Sequence, residues 1–391
     1  MTIVKRNRLY VYAFWGALFF ERSIWINYLH HQGFTTLQIG FLQTLLTLAM
    51  FIFELPSGVL TDRLGPRRTM NFGHVLIIIY LLTMLFAVNY FSLIVGFLAY
   101  GIGLSLISGS DQTLIYQINP EQSYQHKIGI FEAITIIGLT ISSLIGGALT
   151  TISWDAIFIA GILTQLVAII LLILLKEQTH EEKLSDDELP MSLKNLAIEL
   201  LKMLKKKHVR YLVMTISVFQ SAISVLLNFA QLLFSAKHFS AFQTAIILTI
   251  ALAFSAVASV SIEKISAKIG NRRAIFLFLS VTIAMFVSLK SNTAAVIVLG
   301  FLLIQFSFEF VDTSLNAVVQ DLANDKIRTS LISSVNTLTA GLMFFETMLT
   351  SVLFSVFGVE NSFILFGIVV ASVTLLLYNA FLVTQKRTNR N

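Results

Sequence analysis

The sequence predicts an all-α polytopic membrane protein in which twelve transmembrane helices form two six-helix bundles. Three observations lead to this fold class: 56% of the 391 residues are hydrophobic, only 12% are charged, and the mean hydropathy is +0.82. A soluble domain carries about 25% charged residues, so the composition excludes a water-soluble enzyme and a disordered chain. The absence of cysteine also excludes a disulfide scaffold, a cysteine-ligated metal site and a thiol nucleophile.

Twelve apolar runs are long enough to cross a bilayer, which takes about 20 helical residues. Such unbroken runs argue against a transmembrane β-barrel, whose strands alternate apolar and polar residues. The first run resembles a signal peptide, but no small-residue cleavage site follows, so it is interpreted as an uncleaved helix. The predicted spans cover roughly residues 8–31, 36–60, 70–88, 91–117, 126–150, 154–175, 209–236, 241–265, 272–289, 293–321, 327–353 and 361–384.

The Lys and Arg residues lie almost entirely on one side of these spans. With twelve spans both termini share a side, and that side holds 24 of the 27 basic residues. The opposite side holds Lys237 and Lys290, while Arg22 lies inside the first span. The positive-inside rule therefore predicts a cell-membrane protein with both termini in the cytoplasm. The net charge of +6 reflects this asymmetry rather than nucleic-acid binding.

A long central connection divides the chain. We predict an N-terminal six-helix bundle at 1–175, a cytoplasmic linker at 176–208, and a C-terminal bundle with a short basic tail at 209–391. The second part of the linker is amphipathic and Lys-rich, which suits a helix on the anionic inner leaflet, with a solvated linker as the alternative. DRLGPRR at 62–68 corresponds to AKIGNRR at 267–273, so the halves repeat at an offset of 205 residues. Such parallel repeats are typical of transporters with a site near the bilayer midplane.

The loop after the second span carries the most specific motif. GVLTDRLGPRR at 58–68 resembles the signature loop G-x-x-x-D-R-x-G-R-[RK] of the major facilitator superfamily, with Pro66 where the family has Arg. ELPSG at 54–58 and SGSDQTLIYQ at 108–117 also look like bacterial members, many of them regarded as drug exporters. The resemblance implies the major facilitator fold and transport by alternating access.

The same loop predicts a conformational latch at the cytoplasmic rim. Asp62 can accept from a helix N-terminus or pair with an arginine, Gly65 permits a tight turn, and Gly58 allows the second span to end and pack closely. The position that corresponds to Asp62 in the second half is Ala267, so we expect the first loop to carry the latch. A generic basic loop is the alternative. The predicted latch residues are Glu54, Gly58, Asp62, Arg63, Gly65, Arg67 and Arg68.

Ionisable residues inside the spans are candidates for coupling, since each costs about 2.5–3.5 kcal/mol on insertion scales. Glu21 and Arg22 are adjacent in the first span, so each is expected to find its partner on another helix. Glu309 and Asp312 lie one turn apart in the tenth span, and their repulsion favours capture of a proton or cation. Glu346 is isolated in the eleventh span. Structural ion pairing and hydrogen-bonded packing remain the alternatives.

Polar and aromatic faces predict a substrate cavity. In the tenth span four polar residues recur at helical spacing from Gln305 to Asn316, so lipid cannot be their neighbour. Trp25 and Tyr28 share a face of the first span, and aromatic walls suit apolar or cationic ligands. Helix–helix packing is the alternative for the amide and hydroxyl stripes. The predicted cavity residues are Trp25, Tyr28, Asp111, Gln112, Gln220, Asn228, Gln305, Asn316 and Asn336.

The leading hypothesis is proton-coupled efflux of amphipathic small molecules. Intramembrane acids and few fixed basic groups favour it, although the fourth span lacks a central Arg and the fifth lacks the Gly-Pro pair of antiporters in the family. The alternatives are proton-coupled import of a small polar nutrient and lipid transport on the same fold. We expect a monomer in the lipid bilayer that binds a small-molecule substrate and protons, with no cofactor, metal or nucleic acid. No HExxH, GxSxG or nucleotide loop is present, which argues against an enzyme.

Overall fold

The computed structural model describes residues 2–86, 89–117, 124–175, 205–322 and 325–388. These residues form thirteen α-helices, and this part of the chain contains no β-strand, so the predicted all-α fold class is confirmed. The helices are α1 Thr2–Gly16, α2 Trp25–His31, α3 Thr36–Leu64, α4 Pro66–Phe86, α5 Tyr90–Gln117, α6 Tyr124–Leu149, α7 Trp154–Leu174, α8 Lys207–Ala236, α9 Ala241–Ile269, α10 Asn271–Ser288, α11 Ala294–Leu322, α12 Asp325–Phe357 and α13 Val359–Thr388.

Eleven of the described helices, α3 to α13, are long and apolar enough to cross a membrane. They correspond to the second to twelfth predicted spans. The prediction of one continuous helix over residues 8–31 is wrong. Helix α1 ends at Gly16, α2 begins at Trp25, and residues 17–24 between them are non-helical. The regular hydrogen bonds of the helix, which join residues four apart, stop here. The amides of Ala17 and Leu18 donate instead to carbonyls three residues back.

Protein surrounds this break on at least two sides. The Leu18 carbonyl accepts from the Thr164 hydroxyl of α7 at 3.3 Å. The Phe20 carbonyl lies against Gly146 of α6, where a Cβ atom would collide with it. Non-helical backbone at membrane depth is tolerated only where protein or an aqueous cavity surrounds it. The missing side chain at Gly146 is therefore one reason that the break fits here.

The chain divides into two compact units. Unit 1 comprises Met1–Lys183 with Phe239–Thr249, and unit 2 comprises Leu184–His238 with Ile250–Asn391. The start of α9 thus groups with unit 1, whereas the predicted boundaries assign the whole helix to the second half. Residues 176–204, which include most of the predicted amphipathic segment, lie outside the described residues.

The repeated loop forms the same turn in both units. Gly65, between α3 and α4, has a φ of 82°, and Gly270, between α9 and α10, has a φ of 83°. Positive φ is strained for residues with a Cβ but not for glycine. The tight turn predicted at Gly65 is therefore present, and it recurs 205 residues later.

Backbone contacts hold the helices of unit 1 together. Helix α4 packs against α5 and α7, α3 packs against α5, and α1 packs against α6 and α7. A Cβ on Gly73 of α4 would lie 2.8 Å from the Gly103 carbonyl oxygen of α5, and a Cβ on Gly103 would lie 2.7 Å from the Gly73 carbonyl oxygen. Small residues allow this close approach, which is how membrane helices gain packing energy without a hydrophobic driving force.

Helix α8 is the best-covered element of unit 2. It packs against α11, α12 and α13, while α10 packs against α11 and α13. Just beyond its end, the Lys237 Nζ lies 2.7 Å from Glu360 Oε1 at the start of α13 and donates to the Ser291 carbonyl at 3.2 Å. Lys237 is only 7% exposed in its side chain. This ion pair therefore joins the end of α8 to the start of α13.

Candidate functional site

The break in the first span puts a carboxylate in the interior of unit 1. Glu21 is 1% exposed, and neither of its carboxylate oxygens has a hydrogen-bond partner among the described residues. The adjacent Arg22 is exposed. An isolated buried charge is costly unless something compensates it. The Glu21 carboxylate is therefore suited to binding a proton or a cation.

Aromatic rings and a glycine lie around Glu21. The rings of Tyr80 and Tyr100 stack with their centroids 4.2 Å apart, and both residues are within electrostatic range of the carboxylate. On α7, a Cβ at Gly161 would lie 3.9 Å from Glu21 Oε2. Helices α4, α5 and α7 therefore contribute to the surroundings of this one acid.

The two aromatic residues predicted to line a cavity lie in the interior of unit 1. Trp25 is 8% exposed, and its ring centroid is 5.0 Å from that of Phe97. Tyr28 is 2% exposed and donates to the Met84 carbonyl at 2.8 Å. Both contacts favour a packing role for these rings in this conformation.

A buried polar triad joins three helices of unit 1, and the sequence analysis did not identify it. His74 Nε2 lies 2.9 Å from the Tyr12 hydroxyl, and His74 Nδ1 lies 2.6 Å from Gln165 Oε1. An amide oxygen only accepts, so Nδ1 carries the hydrogen and Nε2 accepts from Tyr12. His74 and Gln165 each interrupt an apolar run, which is the available sequence signal, but the sequence does not reveal that they meet.

Arg67, from the predicted latch, binds the end of α7. Its guanidinium donates to the carbonyls of Leu172 at 2.9 Å and Ile173 at 3.1 Å. Arg8 of α1 donates to the next carbonyl, that of Leu174, at 3.0 Å. Cationic donors at a helix C-terminus satisfy its free carbonyls and interact favourably with its dipole. Within unit 1 these two arginines therefore tie α1 and α4 to α7.

The other latch residues behave differently. Helix α3 continues past Gly58, and a Cβ there would meet no described atom within 4 Å, so the predicted helix end and close packing at Gly58 are wrong. The helix runs on through Pro56 to Leu64, and no other described element approaches it at Gly58. The side chain of Asp62 lies outside the described part, so its hydrogen bond stays a prediction. Three latch side chains are exposed: Glu54, Arg63 and Arg68.

The polar stripe on α5 is partly used in packing. The Ser105 hydroxyl donates to the Met50 carbonyl of α3 at 3.0 Å. Asp111 is half-buried and accepts from the backbone N–H of Gln112 at 2.6 Å, while Gln112 itself is exposed. Ser105 therefore joins two helices, and Asp111 and Gln112 remain accessible for another role.

The polar face of the tenth predicted span, now α11, meets polar groups of α9. Glu309 accepts from the Ser259 hydroxyl at 3.0 Å, and the Gln305 amide donates to the Ser255 hydroxyl at 2.7 Å. Glu309 also accepts from the Thr313 hydroxyl, one turn along α11, at 3.3 Å. Lipid is thus not the only neighbour of this face, as its spacing predicts.

Asp312 continues this network towards α8 and α12. Its Oδ2 accepts from the Asn316 amide at 3.2 Å, while its Oδ1 has no hydrogen-bond partner within the described ranges. The Gln220 side chain of α8 interacts with the Asp312 carboxylate, and its Oε1 accepts from the Thr339 hydroxyl of α12 at 3.4 Å. Three hydrogen-bonded groups therefore follow one another along α11 and make up its polar network, formed by Gln305 with Ser255, by Glu309 with Ser259 and Thr313, and by Asp312 with Asn316 and Gln220. Five of these residues are predicted site residues: Gln220, Gln305, Glu309, Asp312 and Asn316.

Three further predicted site residues of unit 2 lie apart from this network. Glu346 is half-buried beside Ser221 of α8, and its Oε2 has no hydrogen-bond partner among the residues described. Asn228 is partly buried and Asn336 is exposed. Sequence spacing identified all three as polar interruptions, and only packing separates them from the network.

These groups have a definite chemical capacity. Carboxylates take up and release protons, and amides with hydroxyls recognise polar groups of a ligand. Across the described ranges, no three His, Asp or Glu residues come together as a potential metal site. The arrangement therefore suits binding and proton exchange.

Comparisons with known proteins identify the family. Residues 11–345 match the family model described as Major Facilitator Superfamily. A 123-residue segment is 29% identical to an uncharacterized MFS-type transporter of Methanocaldococcus jannaschii, covering 31% of this chain and 30% of that protein. A 142-residue segment is 28% identical to the uncharacterized MFS-type transporter EfpA of Mycobacterium tuberculosis, covering 36% and 27%. The matched segments span about a third or less of these relatives.

Solved structures match over nearly the whole chain. A variant of the nucleoside transporter NupG has a TM-score of 0.81 at 14% identity, covering 97% of this chain and 99% of that one. The D-xylose–proton symporter has a TM-score of 0.70 at 15% identity, covering 95% and 96%. At such identities the likeness establishes the fold alone. Since the family model covers most of the sequence, this polytopic membrane protein belongs to the major facilitator superfamily, a family of transporters rather than enzymes.

Proposed function

We propose that this chain exports amphipathic small molecules in exchange for protons by alternating access, and that Glu21 carries the proton. The supporting observation is the burial of Glu21 in a helix break without a described hydrogen-bond partner. Ionisable residues in a membrane interior are functional by default, because their insertion is costly. Uptake of a proton neutralises the buried carboxylate, so proton binding and conformation become linked where the burial of Glu21 differs between conformations.

A proton suits this site better than a metal cation. A proton needs one carboxylate oxygen, whereas a hard cation needs several oxygen ligands. The charged or titratable groups around Glu21 are Arg22 on the same segment, Tyr80 on α4 and Tyr100 on α5. None of them adds a second carboxylate.

Unit 2 supplies groups for substrate recognition under this proposal. The network around Glu309 and Asp312 offers hydrogen bonds, and Phe308, next to Glu309, contacts Phe219 with ring centroids 5.4 Å apart. Polar groups beside aromatic rings suit an amphipathic ligand. Because Arg22 is the only basic residue predicted near the middle of a span rather than at its end, an anionic ligand is disfavoured.

Transport in proteoliposomes with an imposed pH gradient tests the proposal. A panel of lipophilic cations, nucleosides and sugars is offered to the wild type, to Glu21→Gln and to Glu263→Gln. Glu263 is an exposed acid of α9 and serves as the matched control. We expect the gradient to drive lipophilic cations in the wild type and the control. Glu21→Gln is expected to fall to the level of empty liposomes, while exchange of substrate without a gradient persists.

Two results contradict this assignment. If flux in the wild type is indifferent to the pH gradient for every compound, proton coupling is wrong. If Glu21→Gln keeps gradient-driven accumulation, the proton is carried elsewhere, and Glu309, Asp312 and Glu346 become the remaining coupling candidates.

A second candidate function is proton-coupled import of a small polar nutrient. The amide- and hydroxyl-rich network of unit 2 favours it. A thermal-shift screen separates the two. Stabilisation by nucleosides or sugars but not by lipophilic cations favours import, and stabilisation by lipids alone favours lipid transport.

We also propose that both termini lie in the cytoplasm and that the protein is a monomer. The natural chain has no cysteine, so single cysteines at Lys386 and Lys290 are clean reporters. In intact cells an impermeant maleimide is expected to label Lys290→Cys and not Lys386→Cys. Light scattering is expected to give a protein mass near 43.6 kDa after subtraction of detergent. The reverse labelling pattern or a doubled mass contradicts these two points.

A further inference from the structure

A groove at the start of α10 in unit 2 has no part in the proposed transport site. It has a volume of about 550 Å³ and is lined by Arg272, Arg273, Phe276, Leu277 and Ser280. These residues span the first three turns of the helix, about 12 Å along its axis. The groove therefore joins a doubly charged end to an apolar wall.

The internal repeat explains why these arginines are available. At the offset of 205 residues, Arg272 and Arg273 correspond to Arg67 and Arg68. The guanidinium of Arg67 donates its hydrogen bonds to carbonyls at the end of α7. The corresponding helix, α13, continues to Thr388, so its carbonyls at that level are used inside the helix. Arg272 therefore has no free helix-end carbonyls of α13 to bind at the level where Arg67 binds those of α7.

Arg272 is positioned to bind an anion. Its guanidinium carbon lies 5.9 Å from the centroid of the Phe276 ring, and that ring lies 5.4 Å from the ring of Tyr378 on α13. A guanidinium over an aromatic face keeps its N–H groups available for bidentate binding of a phosphate. Neither Arg272 nor Arg273 forms a salt bridge within the described ranges.

The helices next to the charged end of the groove carry further basic residues in their last turns. Lys268 lies in the last turn of α9, and Lys386 with Arg387 lies in the last turn of α13, which packs against α10. Gly270, the N-cap of α10, provides no side-chain cap, so N–H groups of the first turn remain available. Glu263 is the opposing acid near the end of α9. The local balance favours an anionic ligand.

The other end of the groove is mainly apolar, since the Ser280 hydroxyl there donates to the Phe276 carbonyl of its own helix at 2.8 Å. Leu277 is 50% exposed, one helical turn beyond Arg273. A free phosphate would use only the arginines, whereas a phospholipid would also cover this wall. We propose that the groove binds an anionic phospholipid, with Arg272 and Arg273 holding the phosphate and an acyl chain lying along Leu277. This proposal is independent of the transport mechanism.

Native mass spectrometry of the full chain in detergent, titrated with phosphatidylglycerol or phosphatidylcholine, tests the site. The wild type is expected to prefer phosphatidylglycerol. Arg272→Gln with Arg273→Gln is expected to weaken that binding about thirtyfold, from the contribution of two basic residues near an anionic headgroup. The control is Arg63→Gln with Arg68→Gln, which removes equal charge from the corresponding loop of unit 1. It is expected to leave the affinity for phosphatidylglycerol unchanged.

Three outcomes overturn the proposal. Equal losses in both double variants mean that general surface charge attracts the lipid. Displacement of phosphatidylglycerol by an equal concentration of inorganic phosphate or glycerol phosphate means that the groove is a free-anion site. Leu277→Ala, a milder change, is expected to weaken long-chain but not short-chain phosphatidylglycerol, and an unchanged long-chain affinity excludes the acyl contact.

Discussion

The acids of the two units differ in how the protein satisfies them. In unit 1, Glu21 is almost fully buried and has no hydrogen-bond partner within the described ranges. In unit 2, Glu309 and Asp312 are half-buried and accept hydrogen bonds from hydroxyl and amide groups. A carboxylate with donors keeps its charge at low cost, and one without donors does not. Under the proposed function, the lack of described donors as well as the burial distinguishes Glu21 from the acids of unit 2.

The repeated arginines differ in the same way. Arg67 satisfies the carbonyls at the end of α7, while its counterpart Arg272 contacts an aromatic ring and borders an open groove. The local sequence and the preceding glycine turn are alike. What differs is the length of the partner helix. A repeat can thus conserve a turn and still give its side chains different roles.

Removing the acids of each unit is expected to separate their roles most strongly. Glu21→Gln should abolish pH-driven accumulation. Glu309→Gln with Asp312→Asn should retain it and weaken substrate binding by about ten- to hundredfold, because loss of a hydrogen bond to a charged group costs about 1.5–3 kcal/mol. Transport measured at saturating and limiting substrate distinguishes the cases. If the double variant loses accumulation even at saturating substrate, the acids of unit 2 also take part in coupling, and the proposed difference between the units is wrong.

The helix break provides the next largest expected effect. Gly146→Ala brings a Cβ into the Phe20 carbonyl and should lower the free energy of unfolding by about 3 kcal/mol. Gly58→Ala is the matched control, since no described atom lies near its added Cβ, and it should be neutral or slightly stabilising. Unfolding in mixed micelles measures both. Equal stability of the two variants would mean that α6 does not hold the break.

The triad of unit 1 is expected to matter less. His74→Phe leaves Tyr12 and Gln165 without their described partner and should cost about 2 kcal/mol of stability. His30→Phe, at an exposed position, is the control and should have little effect. The same unfolding assay applies. If His74→Phe loses no more stability than His30→Phe, other groups replace the imidazole.

The arginine pair offers the smallest and most direct comparison. Arg67→Gln removes two hydrogen bonds to α7 and should cost about 1 kcal/mol, while Arg272→Gln should leave stability unchanged. Unfolding is best measured without added anionic lipid, which would stabilise the wild-type groove. An equal cost for both variants would show that the two loops are equivalent after all.

Much of the site could be anticipated from spacing, but not its partners. The run from Gln305 to Asn316 has helical period, so a shared polar face followed from the sequence, and residues of this face do bond to polar groups of α9 and to one another. Trp25 and Tyr28 are also predicted to share a face, yet they are buried in packing contacts. Periodicity gives the face of a helix, and only neighbouring helices determine whether that face is covered.

The sequence by itself determined the membrane class, the helical spans after the first, the repeat at 205 residues and the glycine turns, because these depend on local composition and backbone sterics. The tertiary structure decided three things that depend on residues distant in sequence. Gly146 and Thr164 contact the carbonyls of the broken span, His74 meets Tyr12 and Gln165, and Arg67 finds free carbonyls where Arg272 does not. Each is a contact between helices, and no local pattern encodes which helix will be the neighbour.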